Sequence, residues 1–99
     1  MIQITFTQLL GAMQTEASNA ASGFIGRPGA GRDEPDERRQ AIARYSRLYE
    51  ECAQEYCDIH GLRYDVNLMS PIVIEGAAET AADVLADIAD LFRAKASTR

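Results

Sequence analysis

Acidic side chains at helical spacing are the residues here whose types could do chemistry. The second half of the second predicted helix and the third predicted helix carry four each, namely Glu50, Glu51, Glu55, Asp58, Glu79, Asp83, Asp87 and Asp90. Mg²⁺ binds preferentially to carboxylate oxygens, so two facing acidic helices could hold this ion. The bound ion could then activate a water molecule to hydrolyse nucleotides. These acids, however, lie opposite the apolar stripes of their helices. That placement predicts a face in contact with solvent.

The paired acidic helices are similar to those of the all-α nucleotide pyrophosphatases, which carry Glu-x-x-Glu and Glu-x-x-Asp. Here the spacings are Glu51-x-x-x-Glu55 and Glu79-x-x-x-Asp83, so neither motif matches. Because the acidic helices resemble that family only in their general arrangement, a metal-dependent nucleotide phosphohydrolase of all-α type is an alternative hypothesis rather than the main one. A second alternative is an acidic decoy, because regularly spaced carboxylates on a rigid helix could imitate a nucleic acid and block a basic partner.

Two further motifs favour structural roles. Residues 26–32 contain three glycines and two arginines but lack the Lys-Ser/Thr of a phosphate-binding loop. Asp33 and Glu34 also put negative charge where a phosphate would sit. Cys57 and His60 lie three apart, yet a zinc site needs a second pair of ligands, and the chain has no other histidine. We therefore predict no catalytic residue, no metal and no cofactor.

Tyrosine and arginine on the second predicted helix are the strongest candidates for binding. Tyr45, Tyr49 and Tyr56 occupy seam positions that a dry core would fill with leucine or isoleucine, and each hydroxyl needs water or a partner. The seam is therefore predicted to be only half buried, although tyrosines at the rim of an ordinary core are the alternative. Arg44 and Arg47 lie beside it, and interfaces are enriched in Tyr and Arg. We predict that these five residues bind a protein partner.

The start of the first helix has two interpretations. Thr5, with Gln8 three residues later, forms a capping box. Apolar residues then recur three and four apart, which predicts a helix that ends near Gly23. In the alternative interpretation, residues 2–6 alternate in polarity as in a short strand.

A loop and a long second helix follow. Residues 23–35 contain four glycines and two prolines, which predicts a loop. Apolar residues from Ile42 to Ile59 then alternate spacings of three and four, and Gly61 is typical of the end of a helix. The first half of this helix carries four arginines and its second half four acids. Such polarity suits pairing with another helix, and it equally suits local ion pairs.

The segment 62–75 is predicted as an extended crossover with a small hairpin. Alternating apolar residues and the β-branched run at 72–74 favour strands. The pair Ser70-Pro71 could instead cap a helix. From Ala77 onward apolar residues share one face, which predicts the third helix.

Composition limits the class of protein. The chain has 99 residues, of which 46% are hydrophobic and 25% charged, an ordinary globular balance. Its net charge of −5 opposes binding to phosphate backbones. The first residues lack the positive charge and the long apolar run of a secretory signal. Cys52 and Cys57 on one helix point too far apart to bridge, so reduced thiols in the cytoplasm are expected.

We therefore expect residues 1–99 to form a single, mostly α domain. It has three helices with an irregular or short β-hairpin crossover between helices two and three. The alternative is an α+β fold in which residues 2–6 pair with part of 62–75. The predicted function is a small acidic protein-binding module: an adaptor, inhibitor or assembly subunit, without catalysis. It would form a homo-oligomer or bind another protein, rather than a membrane or a nucleic acid.

Overall fold

Helices dominate the molecule, and a three-stranded sheet joins them at one end. The computed structural model describes residues 1–25, 34–66 and 71–97. In chain order the elements are β1 (Ile2–Thr5), α1 (Phe6–Ile25), α2 (Glu34–His60), β2 (Arg63–Tyr64), β3 (Ile72–Gly76) and α3 (Ala81–Ser97). The mostly α prediction is confirmed, and the strand pairing of its alternative is present as well.

Both interpretations of the first residues are correct, because a strand runs directly into a capped helix. The backbone N–H of Thr5 donates to Oε1 of Gln8 (2.9 Å), and the backbone N–H of Gln8 donates to Oγ1 of Thr5 (3.2 Å). This reciprocal capping box satisfies donors of the first turn and lets α1 begin at Phe6. The helix then extends to Ile25, two residues beyond its predicted end.

The end of α2 matches its prediction. Gly61 has a φ of +69°, and the backbone N–H of Leu62 donates to the carbonyl of Cys57 (2.8 Å). This six-to-one hydrogen bond belongs to the Schellman motif, in which a glycine ends the helix in a left-handed conformation. The chain reverses there, and the side chain of Leu62 is buried.

The sheet has the order β1-β3-β2, and both pairs are antiparallel. Ile4 pairs with Ile74, and both side chains are fully buried. In the next register position Gln3, Glu75 and Arg63 lie side by side across the three strands. At these positions the sheet is apolar on one face and polar on the other, while Val73, next to Ile74 on β3, is buried as well. The predicted hairpin is confirmed as the pairing of β2 with β3.

Two predicted boundaries are wrong. The predicted loop 23–35 is narrower, since α1 continues to Ile25 and α2 begins at Glu34; residues 26–33 lie outside the described part. The third helix starts at Ala81 rather than Ala77, because the Oγ1 of Thr80 accepts from the backbone N–H of Asp83 (3.0 Å) and caps the first turn.

The alternative in which a helix begins at Ser70-Pro71 is also wrong, because a strand follows Pro71. Ser70 lies outside the described residues, and Pro71 precedes strand β3. The carbonyl of Pro71 accepts from the backbone N–H of Phe6 (2.7 Å), which ties the start of β3 to the start of α1.

Helix α2 is the centre of the core, with α1 and α3 packed against it. Its buried side chains in this core are Leu48, Tyr49, Cys52, Ala53 and Cys57. They pack with Ile4 and Ile74 of the sheet and with Val84, Ile88 and Phe92 of α3. Both cysteines are buried as reduced residues, since the described part contains no disulfide between them. Of the helices described, none has the length and apolar character needed to cross a membrane.

Candidate protein-binding surface on helix α2

Tyr49 lies in the core. Its side chain is fully buried, and its ring packs against Phe92 of α3 with the centroids 5.7 Å apart. Burial, followed by the nearby Glu16 carboxylate, raises the pKa of Tyr49 to about 12. Among the described residues, its hydroxyl has no hydrogen-bonding partner. The prediction that Tyr49 is only half buried and open to a partner is therefore wrong.

Tyr45 and Tyr56 are half buried, but both contact α3 of the same chain. The ring of Tyr45 meets Phe92 edge-on at 6.1 Å. The hydroxyl of Tyr56 donates to Oδ2 of Asp87 (3.1 Å), and its ring lies 4.2 Å from that of His60. Burial and this hydrogen bond raise the pKa of Tyr56. These two rings hold α3 against α2, and each is only partly accessible to another molecule.

The core-facing stripe of α2 is rotated away from the predicted seam. Besides Tyr49 and Cys52, its buried positions are Ala41, Leu48, Ala53 and Cys57. Ile59, the last predicted seam residue, is 69% exposed. The helix ends at Gly61 two residues later, and the next apolar residue, Leu62, is buried instead of Ile59.

The opposite side of α2 is a continuous exposed stripe, here called the outer face. It comprises Gln40, Ala43, Arg44, Arg47, Glu50, Glu51, Gln54 and Asp58, all exposed and spaced one, three or four apart. Positive side chains occupy its first half and negative ones its second half. The two predicted binding arginines, Arg44 and Arg47, both lie on this face.

A groove of about 600 Å³, here called the α2 groove, runs along the second half of the outer face. Its described lining residues are Arg47, Glu50, Glu51, Gln54, Glu55, Asp58, Ile59, Tyr64 and Val66. Val66, which follows β2, is 49% exposed, and Tyr64 is half buried. The chain reversal at Gly61 is what brings these two residues back beside Ile59. The groove therefore has an apolar end and a charged side.

The charge of the α2 groove is negative, because four carboxylates and one guanidinium belong to its described lining. Lys95 of α3 donates to Glu55, and Nε2 of Gln54 donates to Oδ1 of Asp58 (3.0 Å). Burial, followed by the Glu50 carboxylate, raises the pKa of Tyr64 to about 12. Tyr64 therefore stays neutral at physiological pH and can donate a hydrogen bond to a partner.

A second cavity of about 350 Å³ lies where α1, α2 and α3 meet, and Tyr45 and Phe92 line it. Its polar wall is the buried Glu16, which accepts from Nε (2.8 Å) and Nη2 (2.9 Å) of Arg93. This hydrogen bonding to Glu16 raises the pKa of Arg93. Both carboxylate oxygens are used within the chain, so the pair joins α1 to α3.

The catalytic alternatives gain little from the geometry. Burial, with a smaller contribution from Asp58, raises the pKa of Cys57 to about 11, so its reactive thiolate is disfavoured. On α3, Asp87 is bound by Tyr56, and Asp90 contacts Arg93 (3.5 Å). Within the described ranges, no group of three or more His, Cys, Asp and Glu residues is placed to hold a metal ion.

Comparison with known proteins does not assign a family. No protein-family model matches the sequence, and neither a curated protein nor a solved structure is significantly similar to it. A proposal about its function must therefore rest on the chain's own sequence and structure.

Proposed function

We propose that this chain is a protein-binding module without catalytic activity, and that its contact surface is the α2 groove with the adjoining outer face. The observation that supports it is the exposure of two large apolar side chains, Ile59 and Val66, in one groove. Complete burial of a side chain of this kind contributes about 1.5–3 kcal/mol. A partner that covers both would therefore gain a substantial part of its binding energy at this end of the groove.

The composition of the groove supports the same function. Ile59, Tyr64 and Val66 form an apolar end, and charged residues surround it, as in interfaces with an apolar centre and a polar rim. Among residues 1–22, 37–66 and 71–97, whose side chains the structure describes, four large hydrophobic side chains are exposed, and the other two, Met1 and Phe6, lie at the first strand and helix. The α2 groove is thus where exposed apolar surface is concentrated.

The set of binding residues changes accordingly. Arg44 and Arg47 are kept from the sequence prediction, and Tyr45 and Tyr56, which are half buried, can contribute only part of their side chains. Tyr49 is no longer a proposed binding residue, and the apolar end of the groove (Ile59, Tyr64 and Val66) takes its place in the set. Whether the module is an adaptor, an inhibitor or an assembly subunit, and whether it acts in the cytoplasm, stay predictions.

The acidic-decoy hypothesis uses helix α3 instead and makes a different prediction. Two of its carboxylates, Asp87 and Asp90, already contact Tyr56 and Arg93 of the same chain. Helix α3 therefore presents fewer unpaired carboxylates than a mimic of a nucleic acid needs. Reversal of the charge of Asp83 and Asp87 to lysine should abolish binding by a decoy. A module that binds through the α2 groove should keep its partner in that variant.

Site-specific photo-crosslinking in cells of the native host tests the proposal. Benzoylphenylalanine replaces Ile59 in one variant and Ala86, an exposed residue of α3, in a matched control. We expect position 59 to give a discrete protein adduct that position 86 does not give. No adduct at position 59, or the same adducts at both positions, would contradict a binding role for the groove.

A further inference from the structure

We infer that the molecule bound on this surface is a second copy of the chain, packed antiparallel along the outer face of α2. The inference rests on the proposed function, because it names the partner of the same surface. It follows from the distribution of charge along the helix rather than from the net charge of the protein.

The two halves of the outer face are complementary to each other. Arg44 and Arg47 lie in the first half, and Glu50, Glu51 and Asp58 lie in the second. Two antiparallel copies bring the basic half of each against the acidic half of the other. Parallel copies would place like charges together. Because such a dimer has two-fold symmetry, every favourable contact is made twice.

The charges in the middle of this face form no ion pair among the described residues of the monomer, although Glu51 interacts electrostatically with Lys95, and Glu50 with Tyr64. In the described part of the chain, neither Arg44 nor Arg47 forms an ion pair within 4 Å, and the same holds for Glu50 and Glu51. The ion pairs of the described residues instead join Arg63 to Asp65, Arg93 to Glu16 and Asp90, and Lys95 to Glu55. The outer face therefore presents both signs of charge to solvent, in a pattern that a second copy can satisfy.

The register follows from the same charges. A two-fold axis that passes between Arg47 and Glu51 places Arg47 of each copy opposite Glu51 of the other. It also places the exposed Ile59 of each copy within about one helical turn of the small, exposed Ala43 of the second copy. The ion pairs fix the direction and register, and the apolar end of the α2 groove supplies contact area. Since exposed charges are screened by salt, the dimer should weaken as ionic strength rises.

Sedimentation equilibrium of the full chain at low salt tests the inference. The variants are Arg47→Glu, Glu51→Arg and the double variant with both changes. Each single variant opposes like charges twice, so its dissociation constant should rise by about tenfold or more. The double variant should dimerise like the natural sequence. An equimolar mixture of the two single variants should also dimerise, because each copy then meets the opposite charge at both positions.

Arg38→Glu is the matched control. It makes the same charge change nine residues away, on the opposite side of the helix, and should leave the dimer unchanged. Circular dichroism should show the same helicity for all variants.

Three results would overturn the antiparallel dimer: a monomer at every concentration up to the millimolar range, a dimer that ignores both single variants, or a mixture that stays monomeric. If the chain is monomeric but position 59 crosslinks to a different protein, the proposed function survives without this partner. If position 59 gives no adduct, both fail.

Discussion

Removing the hydroxyl of Tyr49 should stabilise the protein. The side chain is fully buried, and its hydroxyl has no hydrogen-bonding partner among the described residues. A buried polar group without a partner costs about 1–3 kcal/mol. Tyr49→Phe removes that group and keeps the ring against Phe92.

The expected gain is close to the lower end of that range. The void left by one oxygen atom subtracts about 0.2 kcal/mol. We therefore expect Tyr49→Phe to raise the free energy of unfolding by about 1 kcal/mol. For a domain of this size, that change corresponds to an increase in Tm of roughly 4–8 °C.

Urea denaturation at neutral pH, followed by circular dichroism, measures the effect, and Tyr56→Phe is the comparison. Tyr56→Phe deletes the hydrogen bond to Asp87 and should lower the free energy of unfolding by about 0.5–1 kcal/mol. The two substitutions remove the same atom, so their opposite signs isolate the effect of the environment. A loss of stability in Tyr49→Phe as large as in Tyr56→Phe would show that the hydroxyl of Tyr49 has a partner in the core and would refute the reasoning.

Alkaline pH gives the same variant a second readout. The pKa of Tyr49 is raised to about 12, so the folded protein keeps a proton that the unfolded chain releases above pH 10. The resulting stability is present below pH 10 and is lost as pH rises toward 12, by up to about 1.4 kcal/mol per pH unit. Tyr64 and Cys57 act in the same direction. Tyr49→Phe should therefore lose stability less steeply than the natural sequence between pH 10 and 11, and equal slopes would contradict this.

Three further substitutions test the contacts that position the elements. Gly61→Ala should lower the free energy of unfolding by about 1 kcal/mol in thermal denaturation, because its φ of +69° is strained for other residues. Gly76→Ala should cost about 1–3 kcal/mol, since an added methyl would overlap the side chain of Leu62 and lie 3.3 Å from its Cα; an unchanged Tm would mean that Leu62 moves aside. Arg93→Met should lower Tm because Glu16 loses two hydrogen bonds, and adding Glu16→Gln should recover part of the loss. Strictly additive effects in that double-mutant cycle would speak against the pair.

Features that depend on neighbouring residues could be predicted from the sequence. The Thr5–Gln8 capping box and the Gly61 helix end both form, because their hydrogen bonds join residues only three to five positions apart. The helices themselves follow from the same local spacing. The mostly α fold was therefore accessible from sequence alone.

The burial of Tyr49 could not be predicted in this way. Tyrosine ordinarily keeps its hydroxyl near water or a partner, so three tyrosines on one seam indicate partial exposure. Tyr45 and Tyr56 follow that expectation, but Tyr49 is covered by Phe92, which comes from a helix 43 residues later in the chain. Where α3 crosses α2 is a property of tertiary packing, and it decides which ring is enclosed.

The α2 groove was missed for a related reason. Ile59 fits the apolar spacing of the helix, and Val66 fits the alternation of a strand, so both patterns predict core positions. The turn at Gly61 buries Leu62 instead and leaves Ile59 and Val66 on the surface of one groove. The strand pairing that fixes this end of the molecule joins residues about 70 positions apart, such as Ile4 and Ile74.

Methyl NMR of the full chain at low salt shows most directly whether the α2 groove is the surface that binds. We expect the methyl resonances of Ile59 and Val66 to shift as protein concentration rises and then to reach a plateau. Those of Ile74, fully buried in the centre of the sheet, should stay constant. Concentration-dependent shifts confined to Met1, or none at any methyl group, would contradict an antiparallel pair of α2 helices.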